Sequence, residues 1–211
     1  ERYMREAGSY MTFCQDIIAR NKIAPAIPSW IVFDSRYLPK YMLAGSMPGR
    51  HKPKSWLESG FLKTANSLEE LAGICKMDKA KFIASIARFN GFANAGKDED
   101  FHRGERNYDR FLGDPAHNPP NLGSIEQPPF YAYEVYPGDV GTYGGVVTDT
   151  DARVLREDGS VIQGLYATGV STASVMGRAY PGAGASVGPS FTWGFVAAKH
   201  AANVGNIAGA A

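Results

Sequence analysis

"GLYATGVSTASVMGRAYPGAGASVGPSFTWGFVAAKHAA", residues 164–202, decides how this chain is read. It opens on a short apolar run from Gly164 to Gly169. It then passes through a glycine-rich stretch and closes on Phe191, Phe195, Val196 and Ala198 at helical spacing. A strand, a Gly-rich loop and a helix in that order bring free backbone N–H groups and the positive end of a helix dipole to one place. Such an end accepts negative charge, and a reduced flavin, negative near N1 and O2, suits it. Pro189 fits the preference for proline at the first helical position. Spacing alone does not single out a cofactor, because Gly-rich turns before helices are common and no GxGxxG fingerprint occurs in the chain.

Upstream of this stretch, residues 130–163 alternate apolar and polar positions, and Asp158 with Gly159 gives a hairpin signal. The pattern predicts several short antiparallel strands that end in the apolar strand "GLYATG". Farther back, Phe13, Ile17 and Ile18 predict a helix over residues 11–20, and Trp30 to Phe33 predict a buried strand that ends at Asp34. Two more helices follow. Asn66 or Ser67 caps the first and Asp78 the second, whose Phe82, Ile83, Ile86, Phe89 and Phe92 make a wide core-facing stripe. Residues 98–129 are polar and rich in Pro, Asn and Gly, which predicts a long loop covering a site. Residues 35–54 mix Tyr, Leu, Met and Pro with Arg50, His51, Lys52 and Lys54. A solvated loop is the plain reading; a surface that touches lipid headgroups is the sharper one.

With 211 residues, 44% of them hydrophobic and 20% charged, the chain has the composition of a globular protein with a real core. A net charge of +1 and the lack of a basic stripe argue against nucleic acid as a partner. Cys14 and Cys75 have neither disulfide-framework nor zinc spacing, so both read as buried reduced thiols and no metal site is expected. No apolar run reaches the length of a bilayer span and no signal peptide opens the chain, so the expectation is a cytoplasmic protein, with peripheral membrane contact as the sharper variant. His51, His102, His117 and His200 are scattered and read as solvated, while Asp149 and Asp151 read as turn residues.

The stretch at 164–202 resembles the C-terminal flavin-binding part of the 3-ketosteroid Δ1-dehydrogenases, within the wider fumarate reductase-like flavoproteins. "YPGAG" (180–184) is similar to that family's catalytic Tyr-Pro-Gly-x-Gly. "GGVVTDTDARVL", "DEDFHRG", "SLEELA" and "YMTFCQDIIAR" extend the likeness over nearly the whole chain. The resemblance implies an α/β fold: an α+β substrate domain over residues 1–140, then, over 141–211, the C-terminal return of a Rossmann-like FAD-binding domain. It implies FAD as cofactor, with Gly169, Val170, Gly184, Ala185, Ser186 and Val187 against it.

It further implies that the Tyr180 hydroxyl and the Gly184 N–H hold the C3 carbonyl of a 3-ketosteroid, as an oxyanion hole would. Tyr10 stands where the family has the tyrosine that removes a proton from C2, with Tyr3, Tyr37 and Tyr41 as nearby competitors. A tyrosine with an ordinary pKa of about 10 needs neighbours that favour its phenolate, and the family's assisting tyrosine lies outside these residues. The expected partners are the steroid, an external electron acceptor, and an N-terminal FAD-domain segment, either a separate chain or the rest of the same one. Rival readings are a Δ4-dehydrogenase, a fumarate reductase-like reductase, and a non-catalytic steroid-binding half. Arg178 suggests a carboxylate-binding arginine, but no matching His/Arg set accompanies it.

Overall fold

A computed structural model describes residues 1–49 and 52–208, with side chains given up to 203; Arg50 and His51 lie outside the described residues. The chain is mixed helix and sheet and divides into two compact units, Glu1–Pro137 and Gly138–Ala211.

The first unit is built round a three-stranded antiparallel sheet. In chain order it contains α1 (Tyr10–Asn21), β1 (Ser29–Asp34), α2 (Tyr37–Lys40), α3 (Lys54–Glu58), β2 (Lys63–Ala65), α4 (Leu68–Ile74), α5 (Lys79–Ala95), α6 (Asn107–Phe111) and β3 (Phe130–Val135). Strand β3 lies between β1 and β2, with Ile31 opposite Tyr133, Phe33 opposite Tyr131, and Ala65 opposite Phe130. Because side chains alternate across a strand, "FYAYEV" addresses two faces. Phe130 and Ala132 turn to the side where Leu71, Ala72, Phe82 and Ile86 of α4 and α5 make a core, and Trp30 and Val32 of β1 join them. Tyr131 and Tyr133 turn to the opposite side, onto Phe33, Leu43 and Leu62.

Local chemistry fixes the helix ends. The Ser67 hydroxyl accepts the Glu70 N–H (3.1 Å) and Asp78 accepts that of Lys81 (3.1 Å), so Ser67 and not Asn66 is the first cap. Helix α5 ends on Gly96 at φ +71°, the left-handed conformation that glycine adopts without penalty.

The strands after Phe130 are short and antiparallel as expected, but they fall in two sheets, because the two-faced pattern of β3 pairs it with β1 and β2 in the first unit. Two expectations need correction. Residues 35–49 and 52–58 are more than a loop: they form α2 and α3 and bury Leu43, because one side of the segment is apolar enough to close the second face of the sheet. Residues 98–129 are organised by buried carboxylates. Asp98 is fully buried and takes two hydrogen bonds from the Arg2 guanidinium (3.0 and 2.8 Å) and others from the N–H groups of Asp100, Phe101 and Arg103. Arg2 lies between the rings of Phe89 and Phe101 and also holds Glu6.

Burial alone would raise the Asp98 carboxyl, but Arg2 and the backbone N–H groups outweigh it and hold the group below the usual carboxylate range. Its contribution is therefore complete at neutral pH and is lost as the pH falls below about 4 and through its own lower pKa. Asp98→Asn is expected to cost about 2 kcal/mol at pH 7, since it leaves Arg2 with Glu6 alone and takes a charged acceptor from three backbone N–H groups. The cost should shrink in urea melts taken at progressively lower pH; a cost independent of pH would contradict the ion-pair account.

The second unit has a small hairpin, β4 (Arg153–Leu155) against β5 (Val161–Tyr166), and the long helix α7 (Val187–Ala208). Gly159 turns the hairpin at φ +82°, and Asp158 accepts the Ser160 N–H. Asp149 accepts the N–H groups of Asp151 and Arg153, which makes it a turn residue. Among the described residues of this unit only Ala152 and Val154 are buried apolar side chains, whereas Phe191 and Phe195 are 76% and 70% exposed.

Candidate functional site

In the second unit the chain leaves β5, makes a 3-10 turn at Gly169–Ser171, and runs through the glycine-rich loop into α7. Two close approaches fix this path. Gly169 has φ +67°, and a Cβ there would stand 2.6 Å from the Ser190 hydroxyl oxygen in the first turn of α7. The neighbouring Thr168 hydroxyl donates to the Ser190 carbonyl at 3.0 Å. Gly145 meets the Ser171 carbonyl so closely that a Cβ would stand 2.4 Å from it. Beside it the Val146 N–H donates to the Ser171 carbonyl and the Ala173 N–H to the Val146 carbonyl. The strand end and the helix start are thereby held together, and Gly169 and Val170 belong to the same unit as residues 184–187.

The loop then borders an open cavity of about 470 Å³, walled by Val175, Pro181, Gly182, Gly184, Gly188 and Trp193 among others. Gly184 has φ +92°, and its carbonyl accepts the Gly188 N–H at 2.7 Å, which starts the helical bonding before Val187. Its own N–H has no acceptor among the described residues. Nothing stands within 4 Å of where a Cβ would be on Gly184 or Gly188, so the wall is open on that side. Tyr180 is half-buried at the entrance to this loop. Val170, Val175 and Val187 are each more than half exposed. The positive end of a 22-residue helix, an open glycine wall and an apolar rim suit a flat group that carries negative charge at one edge.

Tyr10 lies in the first unit, as the first residue of α1, with 52% of its surface exposed. Its position is set by Ser9, a buried N-cap whose hydroxyl accepts the Thr12 N–H at 3.3 Å. The competing tyrosines are engaged elsewhere. Tyr3 is hydrogen-bonded to Ser29. Tyr37 donates to the Met42 carbonyl at 3.2 Å, and burial pushes its hydroxyl up. Tyr41 donates to Asp114, and burial together with that carboxylate pushes it up to about 12.

Other residues depart from expectation. His200 is not a solvated surface residue: its Nδ1 is 2.8 Å from the Tyr166 hydroxyl and its Nε2 is 3.7 Å from Asp151. Cys75 is buried and its thiol is pushed up to about 11 by burial, while Cys14 is only half-buried because its helix packs on one side. Arg178 is exposed. Sequence reasoning missed the aromatic cluster of Phe33, Tyr37, Tyr131 and Tyr133 because its members come from three separate segments. Among the described residues no group of acidic, His or Cys side chains is arranged to hold a metal, and no helix is long and apolar enough to cross a membrane.

Residues 1–187 match the family model described as FAD binding domain. The chain is 46% identical over 209 residues to a 3-oxosteroid 1-dehydrogenase of Mycobacterium tuberculosis, an alignment that covers 96% of this chain and 37% of that protein. It is 42% identical over 174 residues to a 4-oxocyclohexanecarboxylate 2-dehydrogenase of Sinomonas cyclohexanicum, covering 82% of this chain and 29% of that one. Among solved structures it is similar to 3-ketosteroid delta1-dehydrogenase from Sterolibacterium denitrificans in complex with 1,4-androstadiene-3,17-dione. That match has a TM-score of 0.88 and 40% identity, and covers 95% of this chain and 36% of the other. The chain thus spans little more than a third of the Mycobacterium and Sterolibacterium proteins.

Proposed function

The chain belongs to the FAD-binding domain family, and from that premise we propose that it forms the substrate-binding part and flavin-domain return of an FAD-dependent 3-ketosteroid Δ1-dehydrogenase. The observation that carries the reading is the Gly184 wall. An N–H without an acceptor among the described residues, on a glycine at positive φ, lines an open cavity four residues after Tyr180.

The residues present fit FAD. Gly184 and Gly188 leave the cavity wall without side chains, and the positive end of the α7 dipole would favour the negative charge of a reduced flavin. Gly169, Val170, Gly184, Ala185, Ser186 and Val187 are the residues that would hold it. When bound, FAD supplies an acceptor for the hydride that leaves C1.

The chain's own groups handle the proton and the developing charge. The Tyr180 O–H and the Gly184 N–H donate to the C3 carbonyl oxygen, where negative charge gathers as the C2 proton departs. Tyr10 takes that proton, and the C1–C2 bond becomes double. A neutral, apolar substrate agrees with the chain's lack of charged motifs.

Phe191, Phe195 and Leu165 leave an apolar face on the second unit that its own small core does not cover. We assign that face to the remainder of the flavin domain, the N-terminal segment that carries the dinucleotide fold.

A second reading has one observation in its favour, the likeness to the Sinomonas enzyme named for a monocyclic keto acid. Anaerobic titration of the flavin-loaded protein separates the two. A 3-keto-4-ene steroid is expected to bleach the visible flavin band. Bleaching by 4-oxocyclohexanecarboxylate alone would replace the steroid by a cyclic keto acid, and bleaching by neither would sink the reading.

A further inference from the structure

Between Asp34 and Glu58 the sequence has no acidic residue and five basic ones, Arg36, Lys40, Arg50, Lys52 and Lys54, in a chain whose net charge is only +1. Arg36 is committed to Asp34 and to the Ser124 carbonyl. Lys40 and Lys54 are exposed, and Lys52 reaches the Ser46 and Met47 carbonyls, so its charge sits on the turn that carries Met47. Asp114, which the Tyr41 hydroxyl engages, is close enough to Lys40 to feel its charge, and Glu58 stands at the end of α3.

The same segment has an inward and an outward apolar side. Tyr37, Leu38, Leu43 and Trp56 pack on Phe33, Leu62, Tyr131 and Tyr133, which anchors α2 and α3 to the sheet. From this platform Met42, Met47, Leu57 and Phe61 stand out, 55%, 54%, 49% and 40% exposed. Phe61 rests edge-on against Trp56, so the outward side chains are supported from beneath.

We propose that this face, carried by residues 37–47 and 52–61, docks the protein on an anionic lipid bilayer. Exposed Met, Leu and Phe enter the headgroup boundary while Lys40, Lys52 and Lys54 meet the lipid phosphates, their stems lying along the apolar surface. The lysines decide against a protein partner, because protein–protein interfaces are depleted in lysine, whereas each lysine near an anionic membrane surface is worth about 1 kcal/mol. The inference does not depend on the proposed reaction.

The test uses the full-length flavin-loaded protein, sedimented with vesicles of phosphatidylcholine and phosphatidylglycerol in equal parts and with vesicles of phosphatidylcholine alone. Binding to the anionic vesicles is expected to exceed binding to the neutral ones and to weaken with salt. Each lysine-to-glutamate change should cost at least about fivefold, the equivalent of about 1 kcal/mol, and the triple reversal at Lys40, Lys52 and Lys54 at least about a hundredfold. M47S with L57S should also release the protein, without changing its dichroism or flavin content. Turnover in detergent-free buffer by the lysine variants should stay at the wild-type level. Three results would each overturn the proposal. One is binding that ignores the charge reversal. The second is equal binding to both kinds of vesicle. The third is a fall in melting temperature or flavin content in the variants, which would show that another part of the protein, or a second copy, covers the face.

Discussion

Tyr10→Phe in the flavin-loaded protein is expected to lower steroid turnover by about 10²- to 10⁴-fold, the usual worth of a positioned acid–base group. The substitution removes one oxygen from a ring that is 52% exposed, at the first position of α1. The helix keeps its cap, because Ser9 and Thr12 make it without Tyr10, so the helical dichroism should not change. The loss should fall on kcat, and deuterium at C2 of the steroid should exchange with solvent in the wild type but not in the variant. Tyr41→Phe is the control. Its hydroxyl proton is held by Asp114 and its pKa is pushed up to about 12 by burial and that carboxylate, which makes it a poor base near neutral pH. If Tyr41→Phe stops exchange and Tyr10→Phe does not, the assignment of the base is wrong.

What could be read without coordinates follows the range of the interactions involved. Ser67 and Asp78 cap helices through bonds to the third residue on, so their signals lie inside a few letters. Asp158 and Gly159 turn a hairpin within five residues. "DED" at 98–100 looks like solvated loop because nothing nearby explains a buried carboxylate; its partner Arg2 is 96 residues away. The pairing of β3 with β1 and β2, and of Tyr166 with His200, is hidden in the same way. The candidate site divides along this line too. The strand, turn and helix start that bring Gly169 near Ser190 are contiguous in sequence and legible as a pattern. Tyr10 carries no local mark beyond a helix start, and only the resemblance to the steroid dehydrogenases singles it out.

Tyr180→Phe is expected to reduce turnover by about 10²- to 10³-fold, the range for loss of one oxyanion-hole donor. Gly184→Ala should reach a similar loss by another route. Gly184 stands at φ +92°, where an L side chain is strained, although the cavity itself leaves its Cβ unobstructed. The alanine form can therefore fold, at a cost of about 1 to 2 kcal/mol for the left-handed backbone, but the loop should rotate its N–H away from the ketone oxygen. The two changes together decide whether both donors serve one oxygen. If they do, the remaining donor is already misplaced in each single variant, and the double variant should lose less than the product of the separate losses. Independent roles, with Tyr180 merely a turn residue and Gly184 merely a flavin contact, predict instead that the losses multiply. In that case Gly184→Ala would lower flavin affinity while Tyr180→Phe left steroid turnover intact.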